Sequence, residues 1–449
     1  MSNSFLKRDS YIHGEYILKK LNIDVYEGDL EIREPTIIQS SSEKIVIKGT
    51  LECYDDCEID KNLECHNLRA YESDITVNGN LYVISDIRVK KGSLYVKGSL
   101  ESPKVAIDNI LEVNKSSKIE RLSVGNTFET QLGEIRILSI GNKIHAETLK
   151  SEKISVGNLV ECDSIETDSI SVGNKLECKQ LKASKISVGG TLEVEKINAE
   201  KVSVGGIIKV DTAEISGKIS VGGSLSVDNF IKSKKVEAGG TLNIKKGEID
   251  NVDVGGVLYI DSELKSIKID VGGSIKSSGK ITAEDIDVGG SIRCNSDLIV
   301  TNSLDVGNSI DVNGVLKGGR IDIGNRVSAV KIMAKSLSTN TIETKDGVWA
   351  RYVEVANRGR VKGIIVAEHV YLNEKTSAET IYGKYIEIDD RCRVENIYGY
   401  NIKIGEQAKV YGEVKYKEDI KIDKDTFLAS EPVKVKKIDL LDSFLTSLP

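Results

Sequence analysis

Alternation of apolar and polar residues with a period of two runs through nearly the whole chain. Ser184 to Gly206 is typical: it reads SKISVGGTLEVEKINAEKVSVGG, with Ile, Val and Leu alternating with Lys, Glu, Ser and Asn. This alternation is typical of β-strands with one buried and one solvated face, and no helical period competes with it. The pattern therefore predicts an all-β protein.

A repeat of constant length organises these strands. The motif [ILV]-x-[VI]-G-[GN], with one variant in which Ala238 precedes the glycine, recurs at steps of 16 or 17 residues and once at 18. Its glycines are Gly125, Gly141, Gly157, Gly173, Gly189, Gly205, Gly222, Gly239, Gly255, Gly272, Gly289, Gly307 and Gly324. A short, constant period without helices predicts a parallel β-solenoid, in which each repeat is one coil stacked on the previous one.

The columns around the glycine predict which side chains point inward. The residues three before and three after each glycine are apolar in all thirteen copies. Stacked at about 4.8 Å per coil, they would form ladders of similar side chains. The residue after the glycine is always Gly or Asn. Because these two residues tolerate positive φ best, the dipeptide predicts a corner with left-handed backbone.

Looser copies extend the period in both directions. They predict about 24 coils over residues 17–430, which divide into less regular coils at 17–121, regular VGG or VGN coils at 122–340 and Tyr-rich coils at 341–430. Residues 1–16 are predicted to be an N-terminal tail. Residues 431–449 are predicted to cap the solenoid, since Ile438, Leu441, Leu445 and Leu448 fall at helical spacing. Such a helix would either cover the last coil or dock on a neighbouring molecule through Leu441, Phe444 and Leu445.

Composition and charge narrow the class of protein. The chain has 40 Gly, 4 Pro and only 5% aromatic residues, which suits a narrow core filled by Ile, Val and Leu. A net charge of -7 without a basic stripe argues against nucleic-acid binding. No apolar run reaches the ~20 residues of a transmembrane helix. The first ten residues, MSNSFLKRDS, lack the apolar stretch of a secretory signal, so a cytoplasmic location is expected.

An acidic ladder is the first candidate surface. Two residues before the glycine the column is Ser in seven coils and then becomes acidic, at Glu237, Asp253, Asp270, Asp287, Asp305 and Asp322. Lys185, Lys201, Lys218, Lys235 and Lys268 lie two residues earlier and would offset only the first half of the row. The ladder is either a solvated face that opposes lateral aggregation, or a site for cations or for a basic partner.

Aromatic residues near the C-terminal end form the second candidate surface. The only Trp, Trp349, lies beside Arg351 and Tyr352, and Tyr382 and Tyr398 are 16 residues apart, so their rings are expected to stack. These residues either contact a sugar or a protein, or pack across coils. The Cys residues, including Cys162, Cys178 and Cys294 in one column, are expected to be core filler. The His residues (His13, His66, His145 and His369) are expected to be solvated.

Glycine-punctuated coils of this length, as in Ser184 to Gly206 and in Tyr385 to Gly399 (YIEIDDRCRVENIYG), resemble the bactofilins, polymer-forming cytoskeletal proteins. The resemblance covers most of the chain. It implies a right-handed, three-faced β-helix that assembles end to end into filaments without a nucleotide. The bactofilin core has only a few coils and disordered flanking tails, whereas nearly all of this chain is repeat.

The predicted function is therefore structural: a rigid β-helical rod that forms filaments with itself or serves as a cytoplasmic scaffold. One alternative is a capped, non-polymerising β-helix that binds a protein or a polysaccharide. Another is a carbohydrate-active enzyme on a β-helix, which would need clustered carboxylates or bases in a groove. The sequence predicts no catalytic residues, because it shows no catalytic constellation, and no cofactor, because it has neither a phosphate loop nor a dinucleotide fingerprint. It predicts no metal site, because no second pair of ligands completes Cys53 and Cys57.

Overall fold

The computed structural model describes the backbone of residues 8–13 and 16–447 and the side chains of residues 19–447. The chain divides into two compact units, Met1–Gly222 and Gly223–Pro449. Both are β-solenoids of parallel strands, and the described residues comprise about 24 turns and one short C-terminal helix. The predicted fold class is confirmed.

The described residues of the first unit form nineteen strands, which pair in parallel from one coil to the next except at the N-terminal end. They are β1 (Arg8–His13), β2 (Tyr16–Asn22), β3 (Val25–Tyr26), β4 (Leu30–Ile32), β5 (Thr36–Gln39), β6 (Lys44–Cys53), β7 (Cys57–Ile59), β8 (Asn62–Tyr71), β9 (Ile75–Val77), β10 (Leu81–Lys90), β11 (Leu94–Val96), β12 (Leu100–Ile107), β13 (Ile110–Val124), β14 (Thr127–Ile140), β15 (Lys143–Val156), β16 (Leu159–Val172), β17 (Lys175–Val188), β18 (Thr191–Val204) and β19 (Ile207–Val221).

The second unit continues the same strand pattern and ends in a helix. Its elements are β20 (Ser224–Ala238), β21 (Thr241–Val254), β22 (Val257–Val271), β23 (Ser274–Ser277), β24 (Lys280–Val288), β25 (Ser291–Cys294), β26 (Leu298–Val306), β27 (Ser309–Thr344), β28 (Val348–Leu372), β29 (Ser377–Ile388), β30 (Arg393–Ile404), β31 (Lys409–Val410), β32 (Val414–Ile422), β33 (Phe427–Leu428), β34 (Val433–Lys434) and α1 (Asp439–Ser447).

Each regular coil has three faces. In β14, inward side chains come in three pairs, Phe128 with Thr130, Gly133 with Ile135, and Leu138 with Ile140, and outward residues interrupt the alternation between the pairs. β14 pairs in parallel with β15 along all three faces. Residues at the two corners between these faces have no paired residue in β15. In the second unit, β21 shows the same pattern and pairs with β22. We number the faces from the glycine corner, so the first face follows the glycine and the third precedes it.

The predicted inward columns form the core. Every residue of the column three before the glycine, from Leu122 to Ile321, and of the column three after it, from Phe128 to Val327, is no more than 3% exposed. Like residues lie over like, as in Leu176 over Leu192 and Ile186 over Val202. Stacked branched aliphatic side chains exclude water from a core only a few side chains wide, which accounts for the low aromatic content.

The glycine corners lie where predicted, but their backbone conformation differs from the prediction. Within the described residues, the positive-φ glycines are Gly347 and Gly363, and the corner glycines are not among them. Glycine is required at these corners instead because the backbone of the preceding coil lies too close to accommodate a side chain. A Cβ atom on Gly141 would lie 1.9 Å from the carbonyl oxygen of Gly125, and most of the other corner glycines repeat this close approach, at distances of up to 2.7 Å.

The asparagine that follows several corner glycines also has a stacking role. The side-chain amide of Asn142 donates to Asn126 Oδ1 at 3.0 Å, Asn158 donates to Asn142 at 3.1 Å, and Asn174 donates to Asn158 at 3.2 Å. Each asparagine side chain thus donates a hydrogen bond to the asparagine of the preceding coil. This ladder of amide hydrogen bonds, rather than positive φ, explains the preference for Asn.

The N-terminal end of the first unit carries an added strand. Of the predicted tail, residues 1–16, Arg8–His13 forms β1, which pairs antiparallel with β2. Residues 1–7, 14 and 15 lie outside the described part of the chain, as does the side chain of His13. On its other edge β2 pairs in parallel with β5.

Candidate interaction surfaces

The C-terminal helix is confirmed, but it lies along the side of the second unit rather than over its last coil. Leu441 and Phe444 of α1 are buried against Val366, and Leu445 is partly buried beside them. Trp349, Tyr382 and Tyr398 also pack against this cluster. Leu448, the last apolar residue of the predicted helix face, lies outside the described residues.

The supporting residues of the solenoid share one column. Met333 pairs with Trp349, Val366 with Tyr382, and Tyr382 with Tyr398, all pointing outward from the second face. The predicted stack of Tyr382 on Tyr398 is confirmed, with ring centroids 4.7 Å apart and nearly parallel rings. Burial raises the pKa of the Tyr398 phenol to about 12, and a hydrogen bond to Glu413 adds to the shift. We call this column the aromatic stripe.

Trp349 fixes the position of the helix end. Its ring meets the ring of Phe444 edge to face, with centroids 5.7 Å apart, and its indole N–H donates to the carbonyl of Asp346 at 3.0 Å. Lys331 Nζ lies 4.9 Å from the centre of the indole. Edge-to-face ring pairs and cation–π contacts each stabilise such clusters beyond the area that they bury.

A polar contact holds the other side of α1. The hydroxyl of Tyr400 donates to the Asp442 carboxylate, the Ile438 N–H donates to it at 3.0 Å, and Lys417 Nζ lies 3.4 Å away. These donors, with Tyr400 the largest contributor, hold the pKa of Asp442 below its ordinary value. The helix is therefore seated by an apolar face and one carboxylate.

The other two residues of the predicted aromatic surface take different places. Arg351 is exposed at the corner that follows Trp349. Tyr352 lies beyond that corner on the third face, where its ring tilts against Tyr371 at 5.3 Å and its hydroxyl donates to Glu354 at 3.2 Å. Trp349 and Tyr352 are near in sequence but belong to separate surfaces.

The acidic ladder is confirmed as a continuous row on the third face. Glu237 pairs with Asp253, and the register then runs through Asp270, Asp287, Asp305 and Asp322. No group of three or more His, Cys, Asp or Glu residues in the described part of the chain is arranged to hold a metal ion. The row is a continuous surface of negative charge on the third face.

The cations beside the ladder differ from the prediction, because they are not confined to its first half. Lys235 contacts Glu237 at 2.7 Å and Lys268 contacts Asp270 at 4.0 Å, but Arg320 also pairs with Asp322 at 3.3 Å at the far end. The central coil carries a further acid, Asp285, whose carboxylate accepts hydrogen bonds from Ser303 and Asn302. Negative charge is thus most concentrated around Asp287.

The cysteines are buried core residues, as predicted. All seven are free and buried, and Cys162, Cys178 and Cys294 occupy the expected inward column. Burial raises the pKa of the Cys162 and Cys65 thiols to about 12. Deeply buried thiols with raised pKa are poor nucleophiles, so this chemistry supports a structural role.

Two of the histidines are solvated as predicted, and one is not. His66 and His145 are exposed, and His145 Nδ1 lies 3.5 Å from Glu161. His369 is half-buried and stacks on Tyr385, with ring centroids 4.9 Å apart. His369 lies on the third face and pairs with Tyr385 of the next coil. Its distance in sequence from the glycine corners did not predict this aromatic neighbour.

The interaction residues that sequence reasoning missed are Met333, Val366, Tyr400, Lys417 and Asp442. Met333, Trp349, Val366, Tyr382 and Tyr398 follow one another at 16 or 17 residues, so the coil period alone could have identified the aromatic stripe. Tyr400, Lys417 and Asp442 could not be found in this way, because their contact depends on where α1 docks.

No protein-family model, no curated protein and no solved structure matches the chain. Among the described residues, no helix is long and apolar enough to cross a membrane.

Proposed function

We propose that the chain is a structural protein resembling the bactofilins: a rigid β-helical element that assembles with itself into nucleotide-independent filaments or serves as a cytoplasmic scaffold. The solenoid fold supports this proposal, because stacked coils with ladders of buried side chains make a stiff element. The proposal assigns no catalytic step, cofactor or metal to the chain.

The observation that carries the proposal is the end of the second unit. The last partial coil consists of Ile420–Ile422 in β32, together with β33 and β34, and within the described residues no strand pairs with its outer edge. An unpaired strand edge presents backbone N–H and C=O groups that can accept another strand.

The core is also open at this end. Ile422 stacks on the buried Ile404, yet it is 37% exposed. Ile420 and Leu428, which stack on the buried Ile402 and Val410, are also only partly buried. Phe427 and Val433 stack on the outward-facing Lys409 and Lys415 and are exposed on the side of the coil. Since α1 lies on the side of the unit, it leaves this edge uncovered. Another copy of the chain that stacked here would extend the inward ladders and bury Ile420, Ile422 and Leu428.

Sedimentation velocity across a concentration series tests the proposal. The double variant Ile422→Lys with Val433→Lys places charges on the open edge, where lysine opposes strand pairing. Both side chains are already exposed, so the fold should persist. We expect the wild type to form large species that grow with concentration and the variant to remain small.

Ile267→Lys is the matched control, because Ile267 is 47% exposed in the same unit but lies away from the edge. It should sediment like the wild type. Assembly of the double variant equal to that of the wild type would rule out the edge as the joint. A wild type that stays at one size under all conditions would contradict self-assembly.

A further inference from the structure

A groove on the second unit begins where α1 ends. Its apolar wall is formed by Met333, Ala334, Trp349 and Phe444, and it encloses about 510 Å³. Met333 is 39% exposed although it belongs to the same outward column as Trp349. The groove is therefore a direct continuation of the aromatic stripe that α1 covers, and the described residues of the chain leave it open.

The rim of the groove is basic. Lys317, Lys331, Lys335 and Arg351 line it, and no Asp or Glu does. The ion pairs of neighbouring residues, Arg320–Asp322 and Arg326–Glu343, do not involve the three lysines. Four cations around an apolar floor, on a chain whose net charge is -7, form a local reversal of the overall charge.

The covered part of the stripe shows what this surface binds. There, α1 places Leu441 and Phe444 on the outward column, and its Asp442 meets Tyr400 and Lys417 on the adjoining coils. An apolar helix face with an acidic flank is thus the ligand that the stripe already holds. The open groove offers the same two features, an apolar floor and flanking cations, one coil further along.

We propose that this groove docks an amphipathic, acidic helical segment of a partner protein, laid in line with α1. Apolar side chains of the segment would cover Met333 and Trp349, and its carboxylates would face Lys317, Lys331 and Lys335. Helix-in-groove binding of this kind takes its affinity from apolar anchors and its orientation from charge. The inference does not depend on self-assembly of the chain.

Trp349 provides the readout, because it is the only Trp in the chain and it lines the groove. The probe is a short synthetic helical peptide with Leu and Phe on one face and Glu on the other, titrated into the full-length protein. We expect a saturable change in Trp349 emission. A peptide of the same composition in scrambled order, and a version with Lys in place of each Glu, should bind about tenfold or more weakly.

Two variants locate the site. Lys331→Glu with Lys335→Glu should weaken binding of the acidic peptide about tenfold and restore binding of the Lys-containing peptide. Lys234→Glu with Lys245→Glu, which alters two exposed lysines of the same unit away from the groove, should bind the acidic peptide as the wild type does. Circular dichroism identical to that of the wild type shows that each variant is folded.

Three results would overturn the inference. One is an unchanged Trp349 emission up to millimolar peptide. Another is equal binding of the acidic, scrambled and Lys-containing peptides, which would indicate an unspecific apolar surface. The third is a response of Trp349 to soluble oligosaccharides of glucose or N-acetylglucosamine but not to the acidic peptide, which would assign the groove to a sugar.

Discussion

At the scale of single residues, the space between successive coils selects the corner glycines. The N–H of Gly141 donates to Val124 at 2.8 Å, and the N–H of Asn142 donates to Asn126 at 3.1 Å, so the corner backbones are bonded coil to coil. A side chain on the glycine would point at the carbonyl of the coil beneath. Glycine is therefore needed at the corners because the backbones of adjacent coils approach each other closely there.

Replacing Gly141 with Ala should therefore destabilise the first unit. The added Cβ would lie 1.9 Å from the carbonyl oxygen of Gly125, and backbone must shift to relieve the clash. We expect a loss of about 1–3 kcal/mol, the usual cost of overpacking, measured by chemical denaturation. Gly28→Ala is the control, since nothing lies within 4 Å of a Cβ added there. Equal stability of the two variants would contradict the close-approach explanation.

Removing one charge from the acidic ladder, in contrast, should stabilise the second unit. Asp287 lies between Asp270 and Asp305 on adjacent coils, with Asp285 on its own coil. Asp287→Asn should raise the thermal midpoint at low salt by relieving repulsion, and the gain should shrink at high salt as the charges are screened. Asp261→Asn, which removes an exposed carboxylate outside the row, should give no comparable gain. A lower midpoint for Asp287→Asn would show that the row is compensated by bound cations.

At the scale of elements, the aromatic stripe determines where α1 docks. The coil period brings Trp349, Val366, Tyr382 and Tyr398 onto one face, and Leu441 and Phe444 are spaced to cover them. The apolar spacing of the C-terminal residues predicted the helix itself. It could not predict the docking position, because an amphipathic helix fits any apolar surface of suitable width, and the open end and the stripe are both such surfaces.

Docking of α1 should depend on pH through Asp442. The Tyr400 hydroxyl, the Ile438 N–H and Lys417 hold the pKa of Asp442 below its ordinary value of 3.8. Because docking lowers the pKa of Asp442, the ionised carboxylate contributes its full stabilisation of the docked helix above pH 3.8. This stabilisation is lost as the pH falls through the lowered pKa of the docked state. We expect the emission of Trp349 to shift to the red over that acidic range as Phe444 withdraws.

Asp442→Asn is the control for this titration. It removes the titrating group, so the acidic transition of Trp349 should be lost and the red-shifted emission should already be present in part at neutral pH. An unchanged transition in this variant would assign the pH dependence to other carboxylates. Phe444→Ala should give the red-shifted emission at every pH, because the ring that covers the indole edge is absent.

At the scale of the whole chain, the repeat period determines most of the structure. Thirteen glycine corners and two wholly apolar columns predicted the solenoid, its core residues and the acidic row, because stacking at a constant period converts sequence columns into spatial ladders. The period does not predict the backbone conformation at the corners or the structure at the end of the solenoid. The backbone conformation of Gly141 depends on the coil beneath it, and the open edge at Ile422 depends on where α1 leaves the stack.

The most direct test of the structural proposal is negative-stain electron microscopy of the purified full-length protein across a series of protein and salt concentrations. The account predicts regular filaments that form without added nucleotide and disappear in the Ile422→Lys, Val433→Lys variant. Discrete particles of one size under every condition would contradict self-assembly.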